Sequence, residues 1–225
     1  MWPDTRGFAV LVPVVRRWWP DAGGVLALVG VGAAAGFGAG WVGRVVLLSA
    51  RRGVVPPRWC CEAAVGLLWT VVAVRVAGGM PVWWAPVPLL LGWLAVLLVV
   101  CDVRAARLPD VLTLPACPVA AVLVCGAATQ RPGVLGGAVG GVVLFAGTYL
   151  LVRVVAPRSM GPGDVKLAGS LGTVVGAVSP VAVLAVMAVA ALSTLLVALR
   201  TRGGVPHGPA MLAPAWLAVV VGPGG

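Results

Sequence analysis

The chain has 225 residues, of which 61% are hydrophobic and only 10% are charged, and its mean hydropathy is +1.09. A soluble domain averages about 25% charged residues, so this composition excludes a soluble globular protein and predicts an all-α, polytopic integral membrane protein. The net charge of +10 could indicate nucleic-acid binding. The arginines, however, fall in short loops between apolar segments, where they set membrane orientation. We therefore expect the lipid bilayer as the surroundings and no nucleic-acid partner.

Segments of roughly 20 apolar residues can cross a bilayer as helices, and such segments run through most of the chain. Residues 1–22 are predicted to lie at the membrane interface instead, because the Arg-Arg-Trp-Trp run at 16–19 is typical of that region. A membrane-embedded domain is expected over 23–225, with about seven or eight transmembrane helices. The predicted spans are 23–43, 60–79, 83–101, 111–128, 134–156, 165–178, 181–199 and 209–222.

Basic residues indicate the orientation of these helices. They concentrate in four loops that share one side of the membrane if every predicted span crosses it, namely 44–58, 102–110, 153–166 and 200–207. The loops of the opposite side contain only Arg131, so the positive-inside rule places the basic loops in the cytoplasm and both termini outside. The arginines of the N-terminal tail run against this assignment. Arg75 falls inside the second predicted span, where it either snorkels to the interface or pairs with a carboxylate.

The first predicted span contains Gly32, Gly36 and Gly40 at four-residue spacing. Small residues at this spacing allow two membrane helices to approach closely. The stripe indicates either packing inside the bundle or dimerisation, and internal packing is favoured in a protein with many spans. The oligomeric state stays open.

The chain has six Asp and Glu residues, and three of them lie in two short motifs at predicted membrane boundaries. The first motif runs from Asp102 to Asp110, and the second is Gly-Pro-Gly-Asp at 161–164. Carboxylates are costly to hold at a membrane boundary, which favours a functional role. Capping offers a structural alternative, with Asp164 as an N-cap, Asp102 at a helix end, and Asp110 as the cap of a span that begins at Val111.

Two carboxylates on neighbouring helices can hydrolyse a peptide bond. The ionised one takes a proton from water, and the protonated one donates a proton to the carbonyl oxygen and then to the leaving amine. Close approach prevents both from ionising, so the pKa of one rises. Gly161 and Gly163 would let the backbone approach a substrate closely. An aspartyl hydrolase site formed by Asp102 and Asp164 and the capping alternative are about equally compatible with these residues, and no metal site is expected.

Residues 100–115, VCDVRAARLPDVLTLP, resemble the first aspartate motif of the prepilin peptidases, and residues 159–167, SMGPGDVKL, resemble the second. These type IV leader peptidases are membrane aspartic proteases of the Gly-x-Gly-Asp class. The resemblance implies an endopeptidase of the bacterial plasma membrane that removes the leader of prepilins or pseudopilins. The cut is expected at the cytoplasmic face, after a glycine and before the hydrophobic helix of the substrate. It implies that Asp102 and Asp164 are the catalytic pair, and that no cofactor is needed. Further residues that match family positions are expected to bind substrate or support the site: Gly161, Gly163, Lys166, Asp110 and Glu62.

The chain departs from many bacterial members at one point. Those members carry an insert with two Cys-x-x-Cys pairs after the first span and also N-methylate the new amino terminus. Here loop 44–58 is short and contains no such pair. We therefore expect a peptidase without methyltransferase activity, zinc or S-adenosylmethionine. The choice among pilin-like substrates stays open.

Two other functions remain to be weighed against the prepilin peptidase. Presenilin-like proteases share Gly-x-Gly-Asp but have a Tyr-Asp first motif, and the single tyrosine here, Tyr149, is far from any aspartate along the chain. A transport or assembly protein could instead use the aspartates to bind protons or cations. Internal repeats with broken helices would favour a transporter, and no convincing repeat is evident.

Overall fold

The computed structural model describes residues 22–49, 54–105, 108–157, 161–200 and 207–223. These residues form eight helices and no strand, which confirms the predicted all-α class. The predicted interfacial segment 1–22 lies outside the described residues except for Ala22, which begins the first helix. The helices are α1 (Ala22–Ser49), α2 (Cys60–Ala77), α3 (Pro86–Ala105), α4 (Asp110–Ala128), α5 (Gly133–Val155), α6 (Pro162–Val178), α7 (Pro180–Arg200) and α8 (His207–Val221).

Six of the described helices, α1 to α5 and α7, are long and apolar enough to cross a membrane. The chain is therefore a multi-pass membrane protein. Helices α6 and α8 have 17 and 15 residues and are shorter than a typical span. Helix α1 continues to Ser49, beyond the predicted end at 43, and its 28 residues extend about 42 Å. That length exceeds a hydrocarbon core of about 30 Å, so the last turns of α1 reach the interface.

The helices run alternately up and down, as contacts at the two ends of the bundle show. At one end, the start of α8 contacts the end of α3, and the start of α6 contacts the start of α4. At the other end, Trp84 before α3 donates a hydrogen bond of 2.9 Å to the carbonyl of Val219 near the end of α8. The helix ends that flank the four basic loops therefore gather at one end of the bundle.

Arg75 lies in the last turn of α2, at the opposite end from the basic loops. Its guanidinium donates hydrogen bonds to the carbonyls of Val220 and Val221, at 3.2 and 3.1 Å. A cation at a helix C-terminus is favourable because the last carbonyls carry a partial negative charge. Among the described residues Arg75 has carbonyl partners and no carboxylate partner, so the carboxylate alternative is not supported there. The partner is the C-terminus of α8, which a local sequence pattern does not reveal.

The glycine stripe of α1 packs inside the bundle against α2. A methyl group placed on Gly36 would lie 2.8 Å from the Cα atom of Gly66, and one on Gly40 would lie 2.5 Å from the Cα atom of Glu62. The backbones of the two helices are thus in close contact, as the small-residue spacing predicts. The favoured interpretation of internal packing is confirmed.

A second pair of glycine stripes, not identified from the sequence, joins α5 to α6. Gly137 and Gly141 of α5 face Gly172 and Gly176 of α6, and each glycine contacts the backbone of the other helix. Helix α6 also contacts α4, α7 and α8, and most of its residues between 167 and 177 are buried. A helix surrounded by protein needs neither the length nor the hydropathy of a lipid-facing span. This accounts for the short, glycine-rich helix that carries the second aspartate motif.

Candidate active site

Asp102 lies in the last full turn of α3 and is only 9% exposed. Its Oδ2 atom accepts a hydrogen bond of 2.8 Å from the backbone N–H of Gly208, in the first turn of α8. Helix α3 continues to Ala105, so Asp102 does not simply end it. Burial of a carboxylate is costly unless a donor replaces water, and the amide of Gly208 supplies one. The N-terminus of α8 also carries a partial positive charge that stabilises an anion placed there.

Asp164 lies in the first turn of α6 and is partly buried. Its Oδ2 atom accepts a hydrogen bond of 3.2 Å from the backbone N–H of Gly161, the N-cap residue. The carboxylate thus reaches back to close the start of the helix, as the third residue of a capping box does. The alternative in which Asp164 is itself the N-cap is wrong, because α6 begins at Pro162. The capping contact places the carboxylate at the N-terminus of α6, where the helix dipole favours its anion.

Tyr149 of α5 lies within electrostatic range of the Asp164 carboxylate. Its ring also packs edge-on against Phe145, with the ring centroids 5.1 Å apart. The sequence places Tyr149 far from every aspartate along the chain, but the pairing of α5 with α6 brings it to the second motif. A pattern restricted to neighbouring residues cannot detect this approach.

The segment that follows Asp102 docks on the start of α6. Lys166 forms an ion pair with Asp110, with 2.6 Å between Nζ and Oδ1. A methyl group placed on Gly163 would lie 3.0 Å from the Cβ atom of Leu108. The predicted capping role of Asp110 is wrong, because α4 begins at Asp110 itself with Pro109 as N-cap. The ion pair and the close packing bring the two aspartate motifs to the same end of the bundle.

Glu62 is completely buried in the first turn of α2. Its Oε1 atom accepts a hydrogen bond of 3.1 Å from Arg44 of α1, and its Oε2 atom has no hydrogen-bond partner among the described residues. Gly43, the residue before Arg44, packs against α3, because a methyl group placed on it would lie 2.7 Å from the Cδ2 atom of Leu97. The Arg44–Glu62 pair therefore lies at the same end of the bundle as the aspartates, one helix away from Asp102.

The next feature of the site is the arrangement of its acidic, thiol and imidazole side chains, which are the usual metal ligands. Within the described ranges, no group of three or more His, Cys, Asp or Glu side chains is placed to hold a metal ion. The chemistry that the site offers is that of carboxylates and backbone amides. His207, the single histidine, begins α8.

Residues 89–199, from the start of α3 to the end of α7, match the model of the type IV leader peptidase family. This match supports membership of the chain in that family. Neither the curated proteins nor the solved structures gave a match. Membership in the leader peptidase family makes the chain a peptidase, and therefore a hydrolase, with prepilin-like substrates. The match includes Asp102 and Asp164, whereas Glu62 and Gly208 lie outside it.

Gly208 is a residue of the candidate site that sequence reasoning missed. It contributes a backbone N–H, which every residue except proline has, so the residue type at position 208 does not reveal this role. Glycine is favoured there for a steric reason, because a methyl group at this position would lie 2.9 Å from Oδ2 and 3.3 Å from Cγ of Asp102. The nearby sequence His-Gly-Pro indicates only that a helix begins.

Proposed function

We propose that the chain is a membrane aspartic endopeptidase that removes the leader from type IV prepilins or pseudopilins, with Asp102 and Asp164 as the catalytic pair. One observation carries the proposal: the two aspartate motifs of a leader peptidase lie at one end of the bundle, joined by the Lys166–Asp110 ion pair. Each aspartate is held through one oxygen by a backbone amide. The two carboxylates are the groups proposed to act on water and substrate.

In the proposed reaction, the ionised carboxylate takes a proton from a water molecule, whose oxygen attacks the scissile carbonyl carbon. The protonated carboxyl donates its proton to the carbonyl oxygen, and a proton then passes to the leaving nitrogen as the C–N bond breaks. The two groups titrate as a pair, so apparent pKa values belong to the pair rather than to one residue. The backbone amides keep the carboxylates oriented and thereby reduce the reorganisation needed in the transition state.

Several neighbours have proposed supporting roles. Asp110 and Lys166 hold the loop after Asp102 against α6, and Gly163 allows that loop to approach closely. Gly161 supplies the amide that orients Asp164. Glu62 holds Arg44 at the same end and ties α1 to α2 beside Asp102.

The proposed location is the bacterial plasma membrane, with the site at the cytoplasmic face. The argument is electrostatic: the site lies at the end of the bundle from which the basic loops emerge, and basic loops stay in the cytoplasm. The short loop 44–58 supports a peptidase without methyltransferase activity. Transfer of label from methyl-labelled S-adenosylmethionine to a processed pilin would contradict that part of the proposal.

The decisive experiment compares the wild type with Asp102→Asn and Asp164→Asn in detergent, using prepilins from the same genome and mass spectrometry of the product. Asparagine keeps an oxygen that can accept the bond from Gly208 or Gly161, so folding should be preserved while the carboxylate is lost. We expect loss of the leader with the wild type only. If the well-folded wild type cleaves none of several prepilins, the transport or assembly function is favoured. In that case proton or cation flux is measured in liposomes for the wild type and the same two variants.

A further inference from the structure

An apolar groove of about 470 Å³ lies between α2, α3 and α8. Its lining residues fall between 60 and 68 on α2, between 95 and 100 on α3, and between 209 and 217 on α8. All of them are apolar except for the thiol of Cys60 and the indole of Trp216. The indole nitrogen of Trp216 already donates a hydrogen bond to the carbonyl of Pro88. Apart from the weakly polar thiol of Cys60, the groove therefore has only apolar surface, which suits an apolar ligand.

One end of the groove lies next to the candidate active site. Val99, on the wall of the groove, is three residues before Asp102 and shares its helix face, and Pro209 follows the residue whose amide binds Asp102. The walls on α2 and α8 each extend over nine residues, with about 12 Å of helix rise between the first and the last. An elongated apolar occupant would thus lie along the bundle with one end at the Asp102 carboxylate. Small side chains on all three walls, Ala64, Ala95 and Ala213, would allow a helix to approach closely.

We propose that this groove binds the apolar helix of the substrate, the helix that follows the leader. The inference rests on the proposed function and adds where the substrate is held. Two to three turns of the helix would lie against α2, α3 and α8, and the peptide bond at its N-terminal end would then lie at Asp102. A second apolar cavity, of about 310 Å³ between α1, α2 and α3, ends at Trp93 on α3. Trp93 is nine residues before Asp102, whereas Val99 and Pro209 of the first groove lie within a turn of Asp102 and its amide donor, so proximity to the carboxylate favours the first groove.

The first test fills the groove from its lipid-facing side. Ala213 lines the groove and is exposed, so Ala213→Trp adds bulk without crowding the core. Ala191→Trp is the matched control, because Ala191 is equally exposed on α7 and lines neither cavity. We expect the KM for prepilin to rise about tenfold or more with Ala213→Trp, which corresponds to a loss of about 1.4 kcal/mol of binding free energy. In Ala191→Trp the KM should stay unchanged. An unchanged KM for Ala213→Trp would overturn the inference, whereas no cleavage by the wild type would overturn the proposed function instead.

The second test uses the native thiols and does not depend on a groove variant that folds. Cys60 lines the groove, whereas Cys117 and Cys125 are exposed on α4, away from it. A prepilin with one cysteine in the first turns of its apolar helix is mixed with the Asp102→Asn protein and a mild oxidant. We expect a disulfide with Cys60 and none with Cys117 or Cys125. Equal disulfide formation at Cys60, Cys117 and Cys125 would refute the proposal. A photoactivatable lipid that labels the groove and is not displaced by prepilin would also refute it, because the groove would then be filled by lipid.

Discussion

Substitution of Asp164 separates a catalytic role from a structural one, because its carboxylate also accepts the N–H of Gly161 at 3.2 Å. In Asp164→Asn the amide oxygen can keep this bond, and the lost charge–dipole interaction costs about 0.3–1 kcal/mol. In Asp164→Ala the bond itself is lost, and loss of a capping bond costs about 0.5–2 kcal/mol. A membrane protein with several kcal/mol of stability remains folded after either change.

The effect on cleavage should be much larger and should be the same for both variants. A side chain that transfers a proton in the transition state contributes about 10²- to 10⁴-fold to the rate, or roughly 3–5 kcal/mol of activation free energy. We therefore expect kcat/KM for prepilin to fall at least a hundredfold in Asp164→Asn, with little change in thermal unfolding. Asp164→Ala should be less stable but no less active than Asp164→Asn. Cleavage by Asp164→Asn at near the wild-type rate would refute the catalytic assignment.

Asp110→Asn is the matched control, since it removes a carboxylate at the same end of the bundle. The side chain of Asp110 is 64% exposed in its ion pair with Lys166, and exposed pairs contribute about 0.2–1 kcal/mol to stability. We expect a small loss of stability and a rate much closer to the wild type than that of Asp164→Asn. An equal loss of cleavage in the two variants would mean that the rate does not distinguish the catalytic aspartate from a supporting one.

Two further predictions concern the packing that positions the site. Arg44→Met leaves the carboxylate of Glu62 buried and unpaired, which should cost about 3–5 kcal/mol of stability in thermal unfolding. The double variant Arg44→Met, Glu62→Leu should recover most of that loss. An Arg44→Met variant as stable as the wild type would contradict the buried pair. Gly141→Ala forces a methyl group into the backbone of α6 and should cost about 1–3 kcal/mol and slow cleavage. Gly140→Ala, whose methyl group meets open space, should gain up to about 1 kcal/mol, and equal effects at the two positions would contradict the close packing of α5 on α6.

The helical class and the two aspartate motifs could be predicted from the sequence because both depend on local information. Apolar runs of membrane length, separated by arginine-rich loops, leave few alternatives to a bundle of spanning helices. The glycine stripe of α1 likewise predicted close packing, because small residues at four-residue spacing form one face of a helix. The capping role predicted for Asp110 failed, because a polar residue at a helix start can either cap its own helix or reach a neighbouring one.

The sequence by itself determined that the protein is an all-helical membrane protein with two aspartate motifs of the leader peptidase type. Only the tertiary structure decided what holds those aspartates: Gly208 is 106 positions from Asp102, and Lys166 is 56 positions from Asp110. It also decided which helices border the groove beside Asp102. The physical reason is that helix packing joins surfaces made of similar small and apolar residues. Such surfaces could pair in many ways, and the complete set of backbone contacts selects one arrangement.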